Sequence, residues 1–459
     1  MMRQWQIRRL RRITNKPVES IGRKGYSESQ RNVLIEEFLL NKRLIATAFA
    51  GSFGGLVFGY DLGALSSATQ SLRSQFSLSA SDFGFTISIS LWGTVCGSLL
   101  AGRLADTVGR RNLIAGCAVL YALTAIVIAL PVPPEWVLVL TMRFLAGMAI
   151  GGFTVGCPLY LSELAPISQR GRLVSMFQIQ VGAGVVLAFF VGSIFAHLKG
   201  GAVWKWCLGI GAIPAVILLF LLRFMPQIEF RLSTGVSQME ASAIPRSSFR
   251  DGSSGHEKLF RRRNTRPILI ATSIAIFNQL SGVNILLLYM LDILSSAGIA
   301  FSLGHTYAVL ISCFSLAMTF VGMATVDELG RRTLLLFGSA GMALCLLCLG
   351  LAIPHHFAPL FYLYLLVAYN AFFAFSQGTV VWVYLSELFP PGVRGAGQGY
   401  GSSVHWIANA ILVSAFPIMQ RASSVRTFFF FALMMAMQIG VIWLWYPETR
   451  GTPLGSFVS

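Results

Sequence analysis

The chain has 459 residues, of which 55% are hydrophobic and only 12% are charged, about half the charged share of a soluble protein. This composition excludes a soluble globular fold and favours helices packed in lipid, where every backbone polar group must be bonded within the protein. Lysine and arginine outnumber aspartate and glutamate by 35 to 18. These charges are spread along predicted loop edges rather than gathered on one surface, so nucleic acid is not expected as a partner.

Apolar segments of roughly 20 residues, each long enough to cross a bilayer as a helix, recur along the whole chain. The sequence therefore predicts an all-α membrane protein with twelve transmembrane helices, and the lipid bilayer as a partner. The predicted spans are 44–66, 84–104, 112–131, 135–158, 171–196, 203–224, 266–290, 304–325, 333–353, 359–386, 395–416 and 425–446.

The placement of the arginines predicts the orientation of the chain. They crowd alternate loops, for example at 103–111, 170–172 and 261–263, and the positive-inside rule then places both termini in the cytoplasm. We expect a multi-pass protein of the cell membrane (inner or plasma membrane) with a basic N-terminal tail, two helical halves, a cytoplasmic linker between them and a short C-terminal tail. The predicted boundaries, in that chain order, are 1–43, 44–225, 226–264, 265–447 and 448–459.

Two charged phrases occur once in each half of the chain. Asp-x-x-Gly-Arg-Arg begins at Asp106 and again at Asp327, 221 residues later. Tyr-Leu-Ser-Glu-Leu-x-Pro begins at Tyr160 and again at Tyr384, 224 residues later. A nearly common offset in two unrelated phrases indicates duplication of a six-helix unit. Since six is even, the halves run parallel and both copies return to the same face, predicted to be cytoplasmic.

The charged phrases allow two interpretations. Arginines in a cytoplasmic loop can serve only as an orientation signal. The acid at a fixed offset, and a second Glu…Arg pair on the same face, favour a latch that closes this face while the central cavity opens outward. The predicted members of this latch are Asp106, Arg110, Arg111, Glu163, Arg170, Asp327, Arg331, Arg332, Glu387 and Arg394.

Together these phrases resemble the major facilitator superfamily and, within it, the sugar porters. The resemblance covers nearly the whole chain from about residue 50. It implies a twelve-helix, alternating-access transporter that binds its substrate mid-membrane between the halves. The phrases that carry it are FGYDLGALS at 58–66, GRLADTVGRR at 102–111, RFLAGMAIGG at 143–152, YLSELAPISQRG at 160–171, QLSGVN at 279–284, VDELGRR at 326–332, WVYLSELFPPGVRG at 382–395 and PETRGTPL at 447–454.

Polar side chains inside apolar spans predict the substrate site, because they are costly in lipid and usually face a pathway. Amides both donate and accept hydrogen bonds, which suits a ring of hydroxyls, and an aromatic face suits the C–H side of a sugar. The pattern of the sugar porters has no matching residue for Gln180, so we interpret Gln180 as a helix-packing residue. With the resemblance, the predicted substrate site comprises Phe58, Gln178, Asn278, Gln279, Asn284, Trp382, His405 and Asn409.

Several positions depart from the usual pattern of the sugar porters. Asn278 stands where they have a first glutamine, Leu288 where they have a tyrosine before Tyr289, and His405 where they have Asn or Gln. The tenth span carries GTVVW without the usual prolines, so its helix keeps two hydrogen bonds and we expect a stiffer hinge. Most of these changes fall in or near the predicted cavity and favour a substrate other than a common hexose.

Asp61 is an acid deep in the first span, where an isolated charge is unfavourable in free energy. The resemblance places Arg143 beside it. Proton symporters of the family tend to have Asp at this position, whereas uniporters tend to have Asn. We therefore expect Asp61 and Arg143 to couple proton binding to transport.

The leading functional prediction is proton-coupled symport of a monosaccharide or related polyol. The alternatives are uniport of the same substrates, a carrier for a small organic acid, and a sugar sensor that does not transport. No nucleophile–base constellation or phosphate loop occurs in the sequence, so no enzyme activity, catalytic residue or cofactor is predicted. The cysteine spacing suggests neither a metal site nor a disulfide framework, and we expect a monomer.

Overall fold

The regular elements of the structure are helices. Residues 1–42, residues 227–257 of the predicted linker and residues 453–459 of the predicted C-terminal tail lie outside the described residues. The computed structural model describes residues 43–130, 135–195, 203–226, 258–296, 301–355 and 357–452.

The first six predicted spans form the helices of the N-terminal half. The first helix continues to Gln75 instead of ending at 66, and the sixth span is divided at residues 210–211. The second helix begins where the Ser79 hydroxyl accepts a hydrogen bond from the Asp82 backbone N–H, which caps the helix. The helices are α1 Gly54–Gln75, α2 Ala80–Thr107, α3 Arg110–Ala129, α4 Trp136–Leu164, α5 Arg170–Phe195, α6a Val203–Gly209 and α6b Ala212–Leu221.

The remaining spans form the C-terminal half, where the seventh and tenth are divided into shorter segments. The helices are α7a Thr265–Leu280, α7b Val283–Leu288, α7c Met290–Ser296, α8 Phe301–Leu329, α9 Arg331–Ala352, α10a Pro359–Phe375, α10b Gln377–Leu388, α11 Arg394–Ala422 and α12 Ser424–Trp445.

The glycines of the two Asp-x-x-Gly-Arg-Arg phrases make the turns that precede α3 and α9. Gly109 and Gly330 have φ angles of +84° and +87°. A residue with a Cβ atom is strained in this region, so glycine lets the chain reverse sharply between neighbouring helices. The duplicated phrase therefore produces the same turn in both halves.

Eleven helices in the described residues are long and apolar enough to cross a membrane, whereas the sequence predicts twelve spans. The remaining predicted span, 395–416, corresponds to α11, which is a helix of 29 residues. The first part of α11 is rich in glycine, serine and other polar residues, and several of these face the protein interior rather than lipid. Its buried polar residues include Gln398, Ser402, Ser403, His405 and Asn409.

Two spans predicted to be continuous are broken. The seventh is interrupted at Gly282, where φ is +85°, and again at Tyr289. The tenth is interrupted at Ser376, two residues before the GTVVW segment. The GTVVW segment itself is helical throughout, because it lies within Gln377–Leu388, and the stiffness of the hinge stays a prediction. Thr379 Oγ1 donates to the carbonyl of Ala374 at 2.8 Å and so bonds one of the backbone acceptors that the break exposes.

Glycines let α2 and α4 approach each other backbone to backbone. A Cβ atom added to Gly93 or Gly97 would lie 2.0 or 2.1 Å from a carbonyl oxygen of α4. One added to Gly147 would lie 1.9 Å from the carbonyl oxygen of Ser90. Small residues at such contacts are typical of helix pairs within membranes. The close packing lets Arg143 of α4 reach across α2 toward α1.

The two halves contact each other along α2 with α11 and along α5 with α8. A Cβ atom added to Gly399 would lie 2.9 Å from Cα of Gly102, and Ser98 Oγ is 2.9 Å from Ser403 Oγ. The halves are therefore closed against each other on the side that carries the Asp-x-x-Gly-Arg-Arg phrases. We call this side the charged face.

Candidate functional site

A cavity of about 90 Å³ lies between the two halves and is lined by residues of α1, α5, α7, α8, α10 and α11. Among the described residues its polar lining consists of amides, hydroxyls and one imidazole, without a charged side chain. The polar and aromatic lining residues include Phe58, Gln178, Asn278, Asn284, Ser312, Ser315, Thr319, Asn370, Phe373, Trp382 and His405.

The break in the seventh span gathers three of its amides into one hydrogen-bonded group. Gly282 turns the chain so that Asn284 Nδ2 donates to Gln279 Oε1 at 2.9 Å, although five residues separate the two positions. Gln279 Nε2 lies 2.7 Å from His405 Nε2 and donates to Asn278 Oδ1 at 3.2 Å. These contacts join α7 to α11 along one wall of the cavity.

Trp382 on α10b forms the aromatic wall. Its indole N–H donates to Gln178 Oε1 at 3.2 Å, which links the C-terminal half to the N-terminal half. Its ring centroid lies 5.2 Å from that of His405 and 5.6 Å from that of Phe177. A planar apolar surface beside amides can pack on the C–H face of a polyhydroxylated molecule while the amides bind its hydroxyls.

The structure brings most of the residues predicted for the substrate site together. Gln279 does not line the cavity but stands behind it, bonded to its neighbours. Asn409 lies one helical turn, about 6 Å, from His405 along the axis of α11 and does not line the cavity either. Gln180 packs beside Gly55 of α1, as a packing residue would. The predicted residues that do line the cavity are Phe58, Gln178, Asn278, Asn284, Trp382 and His405.

Four polar lining residues were not singled out from the sequence. Ser312, Ser315 and Thr319 follow each other at helical spacing on α8, and Asn370 lies on α10a. The spacing of the three hydroxyls puts them on one face of the helix. It is a weak signal in a sequence, because serine and threonine also occur in membrane helices as packing residues.

Asp61 and Arg143 form a buried ion pair beside the cavity. Arg143 Nη1 and Nη2 donate to Asp61 Oδ1 and Oδ2 at 2.5 and 2.9 Å, and both residues are at most 3% exposed. Tyr121 donates to Asp61 at 3.0 Å, and Arg143 donates to Ser90 at 3.1 Å. A second cavity of about 10 Å³ reaches Asp61 and shares Phe58 with the main cavity. Leu62 also lines both cavities, so the ion pair lies next to the cavity between the halves.

On the charged face, each half holds its own arginine in the same way. Arg110 Nη2 lies 3.0 Å from both Asp106 Oδ1 and Glu163 Oε1. In the C-terminal half, Arg331 lies 2.9 Å from Asp327 and 2.8 Å from Glu387. Both guanidinium groups are nearly fully buried, so these pairs are screened much less than surface ion pairs.

The same acids also lie at helix starts of the opposite half. Asp327 Oδ2 accepts a hydrogen bond from the backbone N–H of Arg172 at 3.0 Å, near the start of α5. A Cβ atom added to Gly171 would lie 2.4 Å from Asp327, and one added to Gly395, near the start of α11, would lie 2.5 Å from Asp106. The N-terminus of a helix favours a negative charge, so each acid stabilises the contact between the halves.

Further charges face each other across the contact between the halves. Arg170 lies within electrostatic reach of Glu387, and Arg394 within reach of Glu163, so each Glu…Arg pair faces its copy in the other half. The ion pair of Arg172 with Glu328, at 2.8 Å, is largely exposed and adds little to the free energy of this contact.

Two predicted latch residues have other partners. Arg111 Nε donates to the carbonyl of Leu222 at 3.1 Å, and Arg332 Nη2 donates to that of Trp443 at 2.5 Å. Each therefore bonds the C-terminal end of the last helix of its own half. Glu448 in the PETRGTPL phrase accepts from the backbone N–H of Arg332 at 3.0 Å, a role that the sequence analysis did not assign.

Comparison with known proteins shows the family. Residues 47–457 match the sugar (and other) transporter family. The chain is 31% identical over 434 residues to the glucose transporter GlcP of Staphylococcus epidermidis, covering 90% of this chain and 96% of that protein.

Two solved structures of one transporter show the fold. The proton:xylose symporter XylE bound to 6-bromo-6-deoxy-D-glucose is similar with a TM-score of 0.81 and 25% identity, over 91% of this chain and 98% of that one. The inward-open conformation of XylE from E. coli gives a TM-score of 0.72 at 26% identity, over 90% and 99% of the two chains. The helix order, the duplicated phrases and a family match over nearly the whole chain lead to one conclusion. The chain belongs to the sugar porter family of the major facilitator superfamily, and it is a multi-pass transporter of the cell membrane.

Proposed function

We propose that this transporter carries a monosaccharide or related polyol together with a proton, by alternating access of one cavity to the two faces of the membrane. The observation that carries the proposal is the cavity between the halves. Neutral amides, hydroxyls and Trp382 line it, and the buried Asp61–Arg143 pair lies beside it.

A neutral polyol fits this lining better than a small organic acid does. A carboxylate taken out of water needs a cationic partner, because an unpaired buried charge is strongly unfavourable. The described lining contains no lysine or arginine, and Arg143 is already bonded by both nitrogens to Asp61. GlcP and XylE, which are named for glucose and xylose, carry substrates of the neutral polyhydroxylated class.

Proton coupling is assigned to Asp61 and Arg143. Protonation of Asp61 removes the charge that holds Arg143, so the ion pair can be closed or open, and the two states would favour different arrangements of α1 and α4. Substrate in the adjacent cavity would favour one of them. A pair that stayed intact through the whole cycle would leave uniport of the same substrates as the alternative.

The charged face is assigned to the cytoplasm by the positive-inside rule. With this assignment, the contacts of Ser98 with Ser403 and of Asp327 with Arg172 close the transporter toward the cytoplasm. The TM-score is lower with the inward-open conformation of XylE than with its sugar-analogue complex. This difference supports a state that is closed toward the cytoplasm.

Counterflow in liposomes tests the substrate class. The purified protein is reconstituted in vesicles preloaded with one unlabelled compound, and uptake of the labelled form is measured for hexoses, pentoses, inositols and small acids. We expect exchange with at least one neutral polyol and with no acid. Exchange of acids without exchange of any polyol would overturn the proposed substrate class.

A further inference from the structure

Five side-chain amides form one continuous hydrogen-bonded chain that leaves the cavity and ends on the last helix. Asn284 Nδ2 donates to Gln279 Oε1 at 2.9 Å, and Gln279 Nε2 donates to Asn278 Oδ1 at 3.2 Å. Asn278 Nδ2 donates to Gln377 Oε1 at 3.3 Å, and Gln377 Nε2 donates to Gln438 Oε1 at 2.6 Å. Each nitrogen bonds the oxygen of the next amide, so the chain has a single direction. We call it the amide chain.

The inner end of the amide chain is buried in the C-terminal half. Gln377 and Gln438 are 1% and 0% exposed, and neither lines the cavity. Ser339 Oγ donates to Gln438 Oε1 at 3.2 Å, and Met435 Sδ lies 3.5 Å from Gln377 Nε2. A thioether sulfur can accept a hydrogen bond weakly but cannot donate one, so it favours the nitrogen of Gln377 over its oxygen. Only the contact with Met435 distinguishes the two ends of an amide, because the Ser339 hydroxyl can donate or accept. Gln438 Nε2, at the inner end, is buried and has no hydrogen-bond partner among the described residues.

The direction of the amide chain determines what the cavity offers to a ligand. If one amide turned end for end, its N–H would face an N–H and its oxygen would face an oxygen. Each buried polar group left unpaired in this way costs about 1–3 kcal/mol. The amides therefore keep one direction together. Because Asn284 Nδ2 donates to Gln279, the Oδ1 atom of Asn284 is the end that can accept a hydrogen bond from a ligand in the cavity.

We propose that Gln377 and Gln438 are positioning residues of the substrate site. From outside the cavity, they fix which ends of Asn278 and Asn284 face the ligand, and so select the hydroxyl pattern that binds. The inference rests on the proposed function, because it takes the ligand to be a polyol. Gln438 lies on α12, which contributes no side chain to the described cavity lining, so its influence on affinity passes through the amide chain.

The test replaces the two inner amides with methionine, which has a similar length but cannot continue the chain. We expect Gln377→Met and Gln438→Met each to raise the half-saturation concentration in counterflow about tenfold, at unchanged maximal rate per folded protein. The double variant should match the single variants, because both changes cut the same chain. Gln438→Glu, protonated when buried, keeps an acceptor toward Gln377 and should restore affinity to within about twofold. Gln180→Met is the matched control, a buried glutamine outside the cavity, and should leave affinity unchanged.

Two results would overturn the inference: wild-type half-saturation in both methionine variants, or a loss confined to thermal stability and to the amount of folded protein. If a methionine variant does not fold, Gln438→Asn gives the same comparison, because its shorter side chain withdraws the amide from Gln377. A wild-type protein that exchanges acids and no polyol overturns the proposed function alone, and the variants are then compared on that acid.

Discussion

His405 is the residue at which the walls of the cavity meet. Its Nε2 and Nδ1 atoms lie 2.7 and 3.2 Å from Gln279 Nε2, and a neutral imidazole offers one donor and one acceptor. Its ring also packs against Trp382, with centroids 5.2 Å apart. An asparagine can supply one donor and one acceptor at nearly the same place, whereas an alanine can supply neither.

We predict that His405→Ala raises the half-saturation concentration for the transported polyol about tenfold, which corresponds to about 1.4 kcal/mol. His405→Asn should change it less than about threefold, because an amide retains one donor and one acceptor. Equilibrium counterflow with the purified variants measures both values. Asn409→Ala is the control, since Asn409 is buried on the same helix but does not line the cavity. A larger effect from Asn409→Ala than from His405→Ala would contradict this assignment.

At the level of helices, the turns before α3 and α9 have a local signal in the sequence, the glycine of each repeated phrase. The break in α10 has no such signal. Serine is common inside membrane helices, and Ser376 lies close against α9, where a Cβ atom on Gly338 would lie 1.6 Å from Ser376 Oγ. A contact between distant segments cannot be seen in one local pattern. The hydrogen bond of Gln279 with Asn284 depends instead on the local break at Gly282, which brings together positions five residues apart.

The starts of α5 and α11 allow the latch to be tested without removing any charge. A Cβ atom on Gly171 would lie 2.4 Å from Asp327 Oδ1, so Gly171→Ala should push Asp327 from the backbone N–H of Arg172 and loosen the charged face. We predict at least twofold faster labelling of cysteines introduced in the cytoplasmic half of the cavity, as expected for about 0.5 kcal/mol of lost stabilisation. Gly116→Ala is the control, because a Cβ atom there meets nothing within 4 Å.

This variant separates the two interpretations of the charged phrases. An orientation signal depends only on charge, which Gly171→Ala does not change, so unaltered labelling would leave the orientation signal as the sole role.

At the scale of the whole molecule, the duplicated phrases predicted two parallel halves but not how their charges pair. Both copies have the same spacing, so Arg331 could equally have bonded the acids of its own half or those of the other half. The structure shows it with Asp327 and Glu387 of its own half, while the backbone and exposed side chain of Arg172 bridge the halves. Sequence spacing fixes which residues share a face, whereas pairing depends on how the halves dock.

We predict that Asp61→Asn separates coupling from substrate binding. The amide cannot gain or lose a proton near neutral pH, yet it can still bond Arg143 and keep α1 and α4 in place. Uptake into liposomes with an inward pH gradient should lose uphill accumulation, whereas counterflow at equal concentrations should stay within about threefold of wild type. Accumulation that survives the change would exclude Asp61 as the coupling residue. Loss of counterflow as well would instead indicate a structural ion pair.

The Asp61–Arg143 pair also has an electrical consequence. Its two charges cancel, and the described lining of the substrate cavity adds none. Once Asp61 accepts a proton, the positive charge of Arg143 is no longer balanced. The carrier then moves inward loaded with one net positive charge and returns empty with none, so each turnover moves one elementary charge into the cell. Such transport is electrogenic. A voltage of 100 mV contributes about 2.3 kcal/mol, enough for a concentration ratio of about fifty. The cell's voltage, and not external acidity alone, would then set how far the substrate accumulates.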